Sequence, residues 1–205
     1  MNTYTVKKVA LADLPIDSPI WHEANEGSIA NYPWNDPKDT VTTTFYMLSD
    51  ENGIGMKFYS NEKNPIGEAD GMNTDVYLDS CVEIFLNASP ETTDKYLNFE
   101  LSVNGFMHFG LGAGRFDRQL QYIDFTMLHI DTRVLENDGW EAKFYIPYSL
   151  LKTYYPEIST SWTGNFQKLC ERCKVPHWGS WNLIGTEKPD FHRPEFFGNI
   201  LLESF

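Results

Sequence analysis

Cysteine is scarce in this 205-residue chain, and the three thiols Cys81, Cys170 and Cys173 cannot all pair with one another. Such a count gives no disulfide framework and reads as buried, inert thiols in a reducing setting. Long apolar runs are missing too. None approaches the ~18 residues that span a bilayer. The opening MNTYTVKKVALADLPIDSP lacks the apolar stretch of a secretory leader, which points to the cytoplasm unless a leader has been removed. Basic residues are outnumbered, Lys+Arg 16 against Asp+Glu 29, and a net charge of −13 argues against nucleic acid as a partner. No stretch keeps a helical period for three turns. What the chain has is aromatic weight: 14 Phe, 11 Tyr and 6 Trp within 41% hydrophobic residues. That excludes intrinsic disorder and supplies a core for one domain over residues 1–205.

Short alternating runs separated by turn residues dominate. Residues 43–49 and 54–59 flank Asp50-Glu51-Asn52-Gly53, and residues 96–103 and 106–109 flank Asn104-Gly105, the strongest hairpin signal present. Residues 128–135 and 140–146 flank Glu136-Asn137-Asp138-Gly139. Further strands are expected at 4–9, 76–86, 165–172 and 199–203, with a short helix opened by Pro147. The pattern predicts an all-β, antiparallel two-sheet sandwich, immunoglobulin-like or jelly-roll-like, with one or two short helices.

Strand parity sorts the faces. Val82, Ile84 and Leu86 share a core face, leaving Tyr77, Asp79, Cys81, Glu83 and Phe85 on the other. In the next strand Tyr96, Asn98, Glu100 and Ser102 oppose Leu97, Phe99 and Leu101. A merely solvated face would more often carry Lys, Thr and Ser. These mixed faces have no lysine and suggest a polar site walled by aromatics.

Other motifs carry less. Cys170-Glu171-Arg172-Cys173 with His177 has a C-x2-C-x3-H spacing, but a strand would put the two thiols on opposite faces, and a structural zinc site wants a fourth ligand. The glycine-rich Gly110-Leu111-Gly112-Ala113-Gly114 has no βαβ context for a phosphate loop. It reads as a flexible connection, or as backbone that lets Arg115 reach a ligand. Met107-His108 alternates faces and is a poor haem pair. No nucleophile–base pattern stands out, and 29 acidic residues make some carboxylate pair inevitable. Trp178-Gly179-Ser180-Trp181 reads as a loop with at least one indole free for a ligand. Trp21 and Trp140 read as core, and Trp34 as ambiguous.

Several segments in order resemble family 9 carbohydrate-binding modules. Tyr77-Leu78-Asp79-Ser80-Cys81-Val82-Glu83-Ile84-Phe85-Leu86 is similar to a characteristic strand of those modules, and Tyr96-Leu97-Asn98-Phe99-Glu100 to the one after it. Trp140–Pro147 resembles their strand-to-helix segment and Phe197-Gly198-Asn199-Ile200-Leu201-Leu202 their terminal strand. The stretch from His177 to Pro194 resembles a stand-alone subgroup. The resemblance implies a β-sandwich that binds a sugar, often at a reducing end, between two aromatics. By position these are Tyr77, where the family more often has Trp, and Trp181 or else Trp178. A polar neighbour matches Asn98, with Arg115 or Arg172 as a replacement donor. Some members hold structural calcium; no Asp/Asn cluster here is assignable to it, and no other cofactor is implied.

The expectation is therefore a non-catalytic sugar binder for mono- or oligosaccharides, with Tyr77, Glu83, Asn98, Arg115, Trp178 and Trp181 as site residues and Glu83 as an ionised acceptor. A glycan-processing enzyme, an accessory part of one, and a haem-binding or interaction sandwich are the alternatives. Nothing in the sequence sets an oligomeric state.

Overall fold

A computed structural model describes residues 1–203; the last two positions of the expected 1–205 domain, Ser204 and Phe205, lie outside the described residues. The elements follow the alternating runs: β1 (Thr3–Lys8), β2 (Glu26–Ile29), β3 (Thr43–Ser49), β4 (Gly53–Ser60), β5 (Cys81–Asn87), β6 (Tyr96–Ser102) and β7 (Met107–Gly112). Then come β8 (Gln119–Leu120), β9 (Asp131–Leu135), β10 (Gly139–Pro147), β11 (Ser161–Cys170), β12 (His177–Ser180) and β13 (Gly198–Leu202). One α-helix, α1 (Tyr148–Tyr154), starts just after Pro147, and short 3₁₀ turns fill the connections. Among the described residues no helix is long and apolar enough to cross a membrane.

The strands form one curled sheet in the order β8-β7-β6-β5-β11-β13-β1-β3-β4-β10-β9, with β12 added to β11 and β2 to β3. The sheet is mixed, so a strictly antiparallel arrangement is not what the chain adopts. β1 runs parallel to β13 through Tyr4↔Ile200 and parallel to β3 through Lys7↔Leu48, and so links the two halves of the sheet. Those halves face each other. Phe45 of β3 stacks on Phe166 of β11 with centroids 3.6 Å apart, and Phe99 of β6 meets Phe144 of β10 at 5.9 Å. Val82, Ile84, Leu86, Leu97, Phe99 and Leu101 all enter this core, as parity requires.

Turn chemistry explains the hairpins. Gly105 and Gly139 take φ of 87° and 114°, where a side chain would be strained. The β3–β4 turn works differently: the Asp50 carboxylate accepts the amides of Asn52 and Gly53 at 2.7 and 2.9 Å.

Two expectations change here. Cys170 and Cys173 form a disulfide, leaving Cys81 as the free, buried thiol. β11 stops at Cys170 and the chain bends back over residues 171–175, so strand alternation no longer separates the two sulfurs. Trp178-Gly179-Ser180-Trp181 is not a loop. β12 pairs with β11 through Leu169↔Trp178, and the Trp181 amide continues the ladder to the Phe166 carbonyl at 2.9 Å. Three positions apart, the two indoles fall on opposite faces. Trp181 is buried edge-on against Phe45 and Phe166, at 5.8 and 5.4 Å, which removes it from the expected sugar site.

Trp181→Ala should therefore lower the unfolding free energy by about 3–5 kcal/mol, as core aromatic truncations do. Denaturant unfolding of the variant measures this, and a loss below ~1 kcal/mol would contradict the buried placement.

Candidate functional site

The outer face of β5 and β6 is the floor of the site. In their antiparallel register Glu83 lies opposite Glu100 and Phe85 opposite Asn98. The face is covered rather than solvated. The 3₁₀ turn Val76–Leu78 and the segment carrying Ile184 and Phe191 close over Cys81, Phe85, Tyr96 and Leu169 as a second apolar cluster. Between floor and cover is a cavity of about 330 Å³. Tyr77, Phe85, Trp178 and Phe191 are among its walls, and Glu83, Glu100, Glu171, Asp190, Arg115, Arg118 and His192 contribute the polar groups.

One ion pair organises the polar side. Arg118 Nη1 donates to Glu100 Oε1 at 2.9 Å and to His192 Nε2 at 2.7 Å, and Asn98 Nδ2 donates to the same Glu100 oxygen at 2.7 Å. Because Nε2 accepts, the proton sits on Nδ1, which donates to the Tyr96 hydroxyl at 2.8 Å. The imidazole stacks on Phe85 at 4.6 Å. Burial, reinforced by the neighbouring Arg118 charge, pulls the His192 pKa down to about 2.

Arg118 reaches the pocket because β7 has no side chains in its way. β8 pairs with β7 through Gly110↔Leu120, and a Cβ on Gly110 would lie 2.7 Å from Asn98 Oδ1. A Cβ on Gly112 would come within 2.6 Å of the Arg118 Cα. The glycine-rich run is thus a seat for Arg118, not a flexible arm for Arg115. Arg115 stands half-exposed at the rim, its Nε 3.3 Å from Asp190 Oδ1.

Glu83 differs from its neighbour. It is 2% exposed, and its Oε2 has no hydrogen-bond partner among the described residues. Burial first, then the Glu100 charge, push its carboxyl well above the usual carboxylate range, which favours the neutral acid. That direction runs against the expected ionised acceptor, because a buried anion beside a second carboxylate is costly.

The other expected residues fall as follows. Tyr77 lines the cavity from the 3₁₀ turn rather than from a strand, since β5 begins only at Cys81. Trp178 lines it half-buried, with Nε1 donating to Glu171 Oε1 at 3.3 Å. Asn98 is buried beneath Arg118 and supports Glu100 instead of forming a wall. Arg172 turns away to Asp79, at 2.6 Å. The cavity brings together Tyr77, Glu83, Arg115 and Trp178 of the expected set. Arg118, His192, Glu171 and Phe191 were not singled out as site residues, although Glu171 lies within the Cys170–Cys173 motif, Phe191 and His192 lie within the family-like stretch from His177 to Pro194, and Glu100 was visible on the same face by parity.

The family model described as carbohydrate-binding family 9 matches residues 21–202. The chain belongs to carbohydrate-binding family 9. Among solved structures, this family 9 chain is similar to a candidate carbohydrate-binding protein from Bacteroides uniformis, at 25% identity and a TM-score of 0.84, over 98% of this chain and 99% of that one. It also shares its fold with a family 9 module from Caldicellulosiruptor kristjanssonii solved with cellotriose, at 16% identity and TM-score 0.66, over 100% and 95% of the two chains. The glucose complex of a family 9 module from that organism gives 15% identity and TM-score 0.68, over 100% and 97%. No curated protein matches.

The buried imidazole makes a prediction. With the folded pKa near 2, His192 should show no titration between pH 5 and 8 by NMR. The unfolded chain takes up that proton near 6.5, so His192 favours folding fully above pH 6.5 and progressively less as the pH falls toward 2. A His192 resonance titrating near 6.5 would contradict the Arg118–His192–Tyr96 chain.

Proposed function

We propose that residues 1–205 act as one non-catalytic carbohydrate-binding domain, taking a sugar ring into the cavity between Tyr77 and Trp178. The observation that carries this reading is Glu83 Oε2, a buried oxygen without a partner beside aromatic walls. A buried polar group left unpaired costs about 1–3 kcal/mol, which a sugar hydroxyl would recover. Sugars offer apolar C–H faces to aromatic rings and hydroxyls to neutral acids, carboxylates and guanidinium groups. Glu83 donates as a neutral acid, and Glu100, Arg118 and Glu171 surround the remaining hydroxyls. Family membership and the sugar complexes of the Caldicellulosiruptor modules support the ligand class. The facing halves of the curled sheet support the two-layer sandwich reading.

Calorimetric titration with glucose and cello-oligosaccharides is the test. Affinities of about 10 µM to 1 mM are expected, near −7 to −4 kcal/mol. Tyr77→Ala and Trp178→Ala should each weaken binding about tenfold, or roughly 1.4 kcal/mol, and absence of any sugar binding would overturn the reading. The acid form of Glu83 also sets a pH dependence. A group with a raised pKa is fully protonated below that pKa, so affinity should be highest at low pH and fall as the pH rises through it. Glu83→Gln, which stays neutral, should hold affinity within about threefold and flatten the pH profile.

The opposed Glu83 and Glu100, one neutral and one paired with Arg118, also favour a second reading as a glycan-processing enzyme. Incubation with oligosaccharides separates the two: new reducing ends at hydrolase rates support the enzyme, and unchanged sugars support the binder.

A further inference from the structure

A second buried polar centre lies at the end of β11, separate from the sugar cavity and built from different residues. Glu62 sits there at 5% exposure with its two oxygens in different roles. Oε2 is held by Lys168 Nζ and by Trp140 Nε1, each at 2.9 Å. Oε1 accepts from Ser80 Oγ at 2.9 Å and faces the sulfurs: Cys173 Sγ lies 3.2 Å from it, and the ligand atoms of Glu62, Cys170 and Cys173, though not that of His177, all fall within 4.8 Å of one another. His177 Nε2 is 3.7 Å from the same oxygen. The His177 Nδ1 faces the Val175 carbonyl at 3.2 Å and must donate to it, which leaves a lone pair on Nε2.

We propose that, once the Cys170–Cys173 bond is reduced, Cys170 Sγ, Cys173 Sγ, Glu62 Oε1 and His177 Nε2 hold one zinc ion. Two thiolates, an imidazole and a carboxylate form a complete tetrahedral set of the types zinc takes, and ideal zinc bond lengths put such ligands roughly 3.3–3.8 Å apart. The separations from Glu62 Oε1 to Cys173 and His177 are already near that range. The supporting contacts are those a metal site needs: a backbone carbonyl orients the imidazole, and Trp140 and Lys168 fix the carboxylate. Lys168 now donates to His177 Nε2 at 3.1 Å; on metal binding it keeps Glu62 Oε2 and the Leu169 carbonyl. The dication, three anionic ligands and the Lys168 ammonium are together neutral, as a buried cluster requires. A cavity of about 330 Å³ lined by Glu62, Cys173, Lys174 and His177 provides access.

The chemistry balances with a dithiol reductant. Its two sulfurs form a disulfide and pass two electrons and two protons to the Cys170–Cys173 bond, giving two thiols. Each thiol then loses a proton to solvent as zinc binds.

The test uses the intact chain, stripped by chelator and compared in its oxidised form and after dithiol treatment. Thiol counting first establishes reduction in the folded protein, with circular dichroism confirming the fold. The reduced form should take up one Zn2+ per chain in native mass spectrometry, and Co2+ should give thiolate-to-metal charge transfer with tetrahedral d–d bands. The oxidised form should take up neither. Cys173→Ser should remove most of the charge-transfer intensity, and His177→Gln should weaken Co2+ uptake about tenfold or more. Failure to liberate the thiols in the folded chain, absence of metal uptake by the reduced form, or equal uptake by the oxidised form would each overturn the proposal.

Discussion

The Glu100–Arg118 ion pair is what the cavity side of the molecule depends on. A carboxylate 2% exposed on a sheet face has lost most of its hydration and survives as an anion only with a guanidinium in contact. That demand explains several features that otherwise look unrelated. Gly110 and Gly112 are side-chain-free because β8 must come close enough to deliver Arg118. His192 is held neutral by burial and then by the same guanidinium, from which its Nε2 accepts. Glu83, buried beside the Glu100 charge, has its carboxyl pushed well above the usual carboxylate range, and the Arg118 guanidinium only partly opposes that shift. The pairing thus sets the polar arrangement on the Glu100 side of the cavity.

Strand β11 carries both polar centres by alternation. Phe166 faces the main core, with Lys168 on the same parity reaching Glu62. Leu169, on the opposite parity, faces the cavity. The turn after β11 then joins the two regions. Its cysteines border Glu62, while Glu171 between them lines the cavity and accepts from Trp178. Backbone amides of Glu171 and Arg172 donate to the Leu78 carbonyl at 3.1 and 2.8 Å, tying this turn to the one that presents Tyr77. The two aromatics of the proposed sugar site are positioned through one short stretch of backbone.

Much of this was legible in the sequence, for local reasons. Alternation placed Val82, Ile84, Leu86 and Leu97 in the core and Glu83 and Glu100 on a common outer face, because period-two patterning survives any tertiary context. Asn104-Gly105 and the Gly139 turn were readable because only glycine tolerates their φ. The misses are long-range or very short. No local signal says that β1 runs parallel to two partners, and the two-residue β8 is too brief to show a period, so Arg118 stayed hidden behind Arg115. The loop reading of 177–181 is what failed: once 177–180 is a strand, a separation of three sends Trp178 to the cavity and Trp181 into the core. The disulfide was invisible because its formation depends on where β11 stops.

The most direct test of the central account is a crystal structure of the chain soaked with glucose. A sugar ring should lie between Tyr77 and Trp178, with a hydroxyl within about 3 Å of Glu83 Oε2 and Trp181 unmoved in the core. A ring bound elsewhere, or one that leaves Glu83 Oε2 without a partner, would contradict it.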